Sequence, residues 1–462
     1  MTDLPIRHDR YPGARPFTDN PEDRRLFFGR ADEVETLYHQ VLSVRLLVLF
    51  GKSGLGKTSL LQAGVMPRLT ERDLLPLSVR LNRTDVDPVE LVIEAVEEGC
   101  KAQGIDYTAG ERTSLWEFFK TAMFWRGDAL QTPVLVMDQF EEIFTLQSIE
   151  NRRLLAEQLG ELVGAGLPAT VRARRKAGEK LPYSERPPAL KIILSLREEY
   201  FGALQELTRE VPKILETRFR IIPLHQEQAK RAVVEPARLA DGNTFSTRPF
   251  QYADKAVQTM MDFLEAEAGK IESFQLQILC RHVEEQVKRK QAAGATEVTV
   301  DPTYLGERKA MDAILQNFYL DTIKTLPARR DRRRARRLCE VGLLNAAGRR
   351  KSLDEEDVVR DYKVRPPILA RLEDRRLLRK EPRLGAFYYE LSHDSLAQPV
   401  MNSRRWRLPK RVFIPLVVFV LIATGVTLWQ IRQAESARAE AKKAKCLGTL
   451  RYARQRLGMG GG

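Results

Sequence analysis

Cysteine is scarce in this chain of 462 residues: Cys100, Cys280, Cys339 and Cys446 stand far apart, with no CxxC pair and no histidine at ligand spacing. That scarcity excludes a disulfide framework and a thiolate metal site, and it fits reduced thiols in the cytosol. A secretory signal is missing, because Met1-Thr2-Asp3-Leu4-Pro5-Ile6-Arg7 has no apolar stretch. No internal repeat is present. Acidic residues fall short of basic ones, 62 against 76, and the resulting net charge of +14 suggests an anionic partner: nucleic acid, lipid headgroups or nucleotide. Apolar residues are not short. Their 43% share supports folded cores, and the length predicts about three or four domains.

What is present is a phosphate-binding loop, Gly51-Lys52-Ser53-Gly54-Leu55-Gly56-Lys57-Thr58. It follows the apolar run Leu46-Leu47-Val48-Leu49-Phe50 and precedes a helical pattern that begins at Ser59. The glycines let consecutive backbone N–H groups turn toward a phosphate, and the helix adds its N-terminal dipole. Lys57 is expected to reach the outer phosphates and the Thr58 hydroxyl to ligate Mg²⁺. The ligand expected is ATP or ADP.

Apolar strand-like runs at 46–50, 77–81, 133–137, 191–196 and 219–223 alternate with helical patterns. That alternation predicts an α/β fold, a parallel sheet with helices on both faces, over residues 26–225. The Arg- and Pro-rich stretch Pro168 to Pro188 reads as an exposed insertion loop. Residues 226–325 read as helical. Residues 326–400 show short helices and then a basic hairpin at 377–391, a pattern that suggests a winged helix. Residues 1–25 form an N-terminal segment.

The run Pro133-Val134-Leu135-Val136-Met137 ends in Asp138, an acid at a strand's carboxyl end, where it can hold the water shell of Mg²⁺. Glu141 is the first choice to polarise an attacking water and Glu142 the second. Both could instead simply begin a helix, where acids favour the dipole. Arg197 closes another strand and is expected to meet a γ-phosphate, unless it is a helix-cap arginine.

These motifs, in this order, resemble the STAND class of signal-transduction NTPases, and most nearly the novel STAND family 1 pattern. Tyr11-Pro12-Gly13-Ala14-Arg15-Pro16-Phe17 and Phe27-Phe28-Gly29-Arg30 look like its opening motif, Asp138-Gln139-Phe140-Glu141-Glu142 like its second nucleotide motif, and Ser195-Leu196-Arg197 like its sensor. Ser273-Phe274-Gln275-Leu276-Gln277 resembles its helical-domain motif, and Leu391-Ser392-His393-Asp394-Ser395-Leu396 its late His-acid motif. The resemblance implies an NTPase, a helical and a winged-helix domain that close over ADP, and a switch that opens and oligomerises with ATP. It also implies that Arg30 lies near the nucleotide and that His393 touches the ADP phosphate; from the sequence alone His393 reads as an ordinary core or surface histidine. Gln275 stands where a proline is usual, which puts nucleotide contact there in question.

One long uncharged run, 412–431, lies between Arg411 and Arg432. Its 20 residues match the ~30 Å of hydrocarbon a helix must cross, and Trp429 sits where an interfacial aromatic belongs; the alternative is a buried core helix. Charges flank it on both sides, so the cytosolic nucleotide sets the expected orientation: residues 1–411 in the cytoplasm, a single pass of the inner membrane, and the basic Ala-rich tail 432–462 outside. The arginine run 329–337 invites a nucleic-acid reading, against a solvated helix face or attraction to anionic lipid.

The function expected is a membrane-tethered, slowly hydrolysing ATP switch in bacterial signalling or antiviral defence, oligomeric with ATP; its sensor is either supplied by a partner protein or missing from a shortened gene product. The rivals are an ATP-regulated DNA-binding transcription regulator and a scaffold that binds ATP without turnover.

Overall fold

The computed structural model describes residues 8–83, 86–164, 167–240, 244–268, 270–306, 308–345, 348–383, 386–393, 396–405, 422–435, 438, 441–442 and 445. Residues 1–401 and 402–462 form two compact units, described separately below.

In the first unit five strands build one sheet: β1 (Leu46–Gly51), β2 (Leu74–Val79), β3 (Thr132–Asp138), β4 (Lys191–Arg197) and β5 (Arg218–Arg220). Every pairing is parallel and the order is β2-β3-β4-β1-β5. The strands read as unbroken apolar runs because both faces are covered. On β1, Leu46 and Val48 join one buried cluster while Leu47 and Leu49 join the opposite one. Strand β2 begins three residues earlier than the sequence suggests, with Pro76 inside it. Proline is tolerated there because β2 is an edge strand with no ladder bond to lose on its open side.

The expected insertion loop is corrected in part. Residues Ala169–Lys176 form a helix whose Val171 is fully buried in the core, and Arg174 ion-pairs with Glu117 (2.5 Å) and with Glu179. One apolar residue and one anchored arginine are enough to dock a helix that is otherwise polar, and for that reason its pattern read as a loop.

Beyond the sheet come helices Gln226–Arg238, Asp254–Ala268, Ser273–Ala292 and Arg308–Lys324. Next are the arginine helix Arg329–Arg337, a short strand β6 (Leu353–Asp354), helices Glu355–Tyr362 and Pro366–Asp374, and a hairpin of β7 (Leu378–Arg383) and β8 (Ala386–Leu391). The order β6-β8-β7 is the one expected of a winged helix. One continuous buried cluster runs through all of this from Ala229 to Val400. In the arginine helix, Asp331 and Ala335 face inward while Arg329, Arg330, Arg333 and Arg337 are exposed.

In the second unit, residues 422–435 are helical, with Ile422, Val426, Leu428, Trp429 and Ile431 exposed. Residues 412–421 of the expected membrane span lie outside the described residues. Among the described residues no helix is long and apolar enough to cross a membrane.

One acid of the helical region anchors the backbone of the N-terminal segment. Glu284, wholly buried on helix Ser273–Ala292, accepts the N–H of Arg10 (2.8 Å) and of Tyr11 (3.2 Å), and the Arg10 guanidinium donates to the carbonyls of Pro236, Leu239 and Thr247. Glu284→Ala strands two buried backbone donors, so a loss of about 3 kcal/mol is expected in urea unfolding, with Glu284→Gln losing roughly half of it. An unchanged unfolding midpoint in Glu284→Ala would show that the strap is held by something else.

Candidate functional site

The carboxyl ends of β1, β3 and β4 converge, with Gly51 beside Arg197 and Asp138 beside Ser195. Ligands of open α/β sheets sit in this crevice. The loop after β1 holds Gly54 at φ +83° and Gly56 at φ +90°, backbone angles that suit glycine. A Cβ on Gly56 would meet nothing, so conformation fixes that residue; a Cβ on Gly54 would come within 2.8 Å of His393 Nδ1. Lys57 Nζ donates to the carbonyls of Gly51 (2.8 Å) and Lys52 (3.1 Å). Those two residues thus steady the lysine and do not themselves line the cavity, whereas Ser53 to Ser59 do. Ser59 also accepts the Phe17 N–H at 3.1 Å, tying the loop to the N-terminal segment.

Asp138 is the hub of the acid strand. Its Oδ2 accepts from the Thr58 hydroxyl and its Oδ1 from Ser195, each at 2.8 Å. Hydroxyl and carboxylate together can hold a hydrated divalent cation whose other ligands are water and phosphate oxygens. Among the described residues no cluster of three His, Cys, Asp or Glu side chains could hold a metal unaided. The next residue, Gln139, lies at φ +58°, a left-handed turn unusual for a side chain of this size. Beyond it Glu141 and Glu142 begin a helical turn, on which adjacent side chains point about 100° apart. Glu141 lines the cavity and meets Arg197, whose Nε lies 3.2 Å from Oε1 and whose N–H donates to Oε2 at 3.2 Å. Glu142 pairs with Arg80 at 2.5 Å and does not line the cavity, so of the two candidate bases only Glu141 is in position.

Arg197 also reaches Glu390 of β8 at 3.2 Å, and Arg379 of β7 donates to Gln139 Oε1 at 2.8 Å. These hairpin residues and Arg80 escaped sequence reasoning. Arg80 carried a faint signal, since like Asp138 and Arg197 it stands at the end of an apolar strand; Arg379 and Glu390 meet partners about two hundred residues away in the chain, and nothing local marks them.

His393 stacks on Phe274 with ring centroids 3.7 Å apart, and its Nδ1 is buried without a hydrogen-bond partner among the described residues. Burial, and then the guanidiniums of Arg350, Arg379, Arg197 and Arg376, push its pKa down to about 3, so the ring is neutral. Arg30 acts as a strut: it donates to the carbonyls of Leu55 (3.3 Å) and Ile222 (2.9 Å) and pairs with Glu33. Gln275 is buried away from the cavity, while Ser273, Phe274, Leu276 and Gln277 line it.

The cavity holds about 420 Å³. Among the described residues eight cations line it (Arg15, Arg30, Lys57, Arg80, Arg197, Arg376, Arg379, Lys380) against three carboxylates (Asp138, Glu141, Glu373), a balance that suits a polyanion. Burial, opposed by Glu141 and Asp138 and aided by Arg197 and Arg379, pushes the Lys57 ammonium down to about 8. Burial and the neighbouring Arg197 lower Arg379 to about 10. Phosphate relieves each of these. Away from the acids the wall turns apolar, with Ala14, Pro16, Phe17, Phe27, Leu224 and Leu276 offering a planar base a dry surface.

Three solved structures are similar to this chain at a distance. The Aeropyrum pernix ORC2 protein, in ADPNP and ADP complexes, is 12% identical over 82% of this chain and 95% of its own, with a TM-score of 0.40. The Walker-type ATPase of Pyrococcus abyssi is 14% identical over 84% and 98%, at 0.41. The Aeropyrum pernix ORC1 protein in complex with DNA is 15% identical over 83% and 94%, at 0.39. A search of curated proteins finds no match. The family model for novel STAND NTPase 1 matches residues 11–416, a stretch holding the phosphate loop, Asp138, Arg197 and His393 alike. The chain belongs to the novel STAND NTPase 1 family of P-loop NTPases.

Proposed function

We propose that this P-loop NTPase is a slow ATP-hydrolysing switch whose output is a change of domain contacts. One observation carries the reading: Arg197, at the position where a γ-phosphate would be met, is shared between Glu141 of the sheet and Glu390 of the C-terminal hairpin. A triphosphate that draws Arg197 toward itself weakens its hold on the hairpin, whereas a diphosphate does not. That difference in affinity for two arrangements is what a ligand-driven switch requires.

In the reaction proposed, the loop amides and Lys57 bind the outer phosphates, and Thr58 and Asp138 hold Mg²⁺, which when bound neutralises charge on the phosphates. Glu141 takes a proton from water as its oxygen attacks the γ-phosphorus; the bond to the β-phosphate oxygen breaks, leaving ADP and phosphate. A base engaged by Arg197 fits slow turnover. The neutral His393 beside Gly54 is suited to contact the β-phosphate and so to hold the winged helix closed over ADP. Opening with ATP would free surfaces for self-association. The exposed apolar side chains of 422–431 support tethering to the inner membrane with the nucleotide site in the cytoplasm, as bacterial signalling or defence by clustering would use. An ATP-regulated DNA-binding role is the alternative, supported by the exposed arginines of 329–337.

Lys57→Ala is expected to abolish nucleotide binding, and Glu141→Gln to keep binding while lowering phosphate release by about a hundredfold or more. Equal phosphate release by both variants and wild type would sink the hydrolytic reading. A second expectation concerns pH. Lys57 loses its proton near 8 in the free protein, and bound phosphate favours the charged form, so binding takes up a proton above that pH. ATP affinity should therefore fall by up to about tenfold per pH unit above about 8, and a wild-type affinity that stays level above that pH would show that Lys57 keeps its proton there.

A further inference from the structure

Helix Ser273–Ala292 carries a polar group that the phosphate chemistry leaves unused. At its start the Ser273 hydroxyl lies 3.5 Å from the Leu55 carbonyl of the phosphate loop, and Phe274 stacks on His393. Two turns further on, Arg281 donates to the Tyr11 carbonyl of the N-terminal segment at 3.4 Å and lies against Gly13. Gln277 stands midway, about 6 Å of helix from either end of that stretch. Ser273, Phe274, Leu276 and Gln277 line the cavity and Gln275 does not, the pattern of one helix face. Gln277 therefore borders the part of the cavity between the phosphate loop and the N-terminal segment, where Leu276 and Ala14 make the wall apolar.

Its Oε1 is buried and has no hydrogen-bond partner among the described residues. A buried acceptor left unpaired costs stability, and a ligand that brings a donor removes the cost. Among the described residues the cavity has one other amide, Gln139, whose oxygen is taken by Arg80 and Arg379. The two amides thus differ: one is committed to the protein, the other is open to a ligand.

We propose, resting on the nucleotide reading above, that Gln277 reads the base of the nucleotide and that the base is adenine. A carboxamide offers one acceptor beside one donor. Adenine presents the complementary pair, an amino donor beside a ring-nitrogen acceptor, and an amide can meet both at once. With Oε1 as the inward atom, the amino hydrogen satisfies it. An oxo purine such as hypoxanthine turns an oxygen toward the same atom, so two acceptors face each other. Cytosine has the same donor and acceptor pair, but its smaller plane covers less of the apolar wall. A site built to hydrogen-bond a group rejects the analogue that lacks it, because its own polar atom is then left unpaired. Phosphate contacts hold a nucleotide of any base, and the choice among bases falls to one side chain of the helical region.

The test compares ADP with inosine diphosphate, which carries an oxo group in place of the amino group, on the full chain with Mg²⁺ by equilibrium binding. Wild type is expected to bind ADP about tenfold or more tightly. Gln277→Met, similar in length but apolar, is expected to bring the two within about threefold by weakening ADP and sparing the inosine nucleotide. Gln275→Met should leave the ratio unchanged, although its Oε1 too is buried without a partner among the described residues, because Gln275 does not line the cavity. Without nucleotide, Gln277→Met should unfold in urea at the wild-type midpoint or above, since it removes an unpaired acceptor; a lowered midpoint would mark the amide as structural and count against the assignment. No preference for ADP in wild type, or a preference that survives in Gln277→Met, overturns it, as does a ratio that moves in Gln275→Met instead. Should Gln277→Met fail to fold, Gln277→Glu decides, because it keeps an acceptor and loses the donor: a reduced ratio supports the proposal and an unchanged ratio overturns it. Lys57→Ala tests the underlying reading separately. If it binds ADP as wild type does, the phosphate-loop reading fails and the base assignment fails with it; lost binding there beside an unchanged ratio in Gln277→Met overturns the base assignment alone.

Discussion

Everything in the site leans on the ion pair between Glu141 and Arg197. Arg197 ends β4 and Glu141 lies in the turn just past the neighbouring β3, so the pairing of these strands brings the two within reach before any ligand is involved. Their carboxylate and guanidinium then recruit the rest. Arg197 takes Glu390 from the hairpin, Glu141 attracts Arg379, and Gln139 links Arg379 to Arg80. Breaking a buried pair by removing one partner leaves an uncompensated charge, far costlier than losing an exposed pair. A network of this kind tolerates few alternatives: each cation has an acid or amide waiting, and a phosphate is the one newcomer that can displace several of them together.

The same chemistry explains why the cavity is poised for an anion instead of merely open to one. Burial, and with it the crowding of cations, lowers their proton affinity, visible in Lys57 at about 8 and Arg379 at about 10. A polyanion reverses that strain, so part of its binding energy comes from relief within the protein. Asp138 supplies the balance. Its two oxygens are already satisfied by Thr58 and Ser195, which holds it in place for a cation and keeps it from collapsing onto Lys57.

Much of this was legible in the chain. The phosphate loop announced itself by spacing, and the sheet by apolar runs covered on both faces. Asp138 and Arg197 were marked by standing where such runs end. What was hidden has a physical reason in each case. The Ala169–Lys176 helix buries Val171 and is otherwise held by ion pairs of Arg174 and Arg175, too little apolar surface to set up a periodic pattern. Glu142 looked as good as Glu141, but as neighbours on a helical turn they point different ways, Glu142 to Arg80 and Glu141 into the cavity. Arg379 and Glu390 could not be found from spacing at all, because their partners are tertiary, and a basic hairpin reads the same whether its arginines face solvent or a buried acid.

The continuous core from Ala229 to Val400 has a mechanical meaning. Phe274 and His393 stack on each other from opposite ends of that body, one on a helix and one just past the hairpin. Among the described residues packed hydrocarbon joins the helical region and the hairpin into one body. The hairpin grips the sheet through polar contacts: Arg197 to Glu390 and Arg379 to Gln139, with an imidazole against a glycine. Polar grips let go when a competing charge arrives, whereas packed hydrocarbon does not. On the switch reading proposed above, the joint would therefore lie along the nucleotide, and a bound phosphate would be both the key and the pin of the hinge.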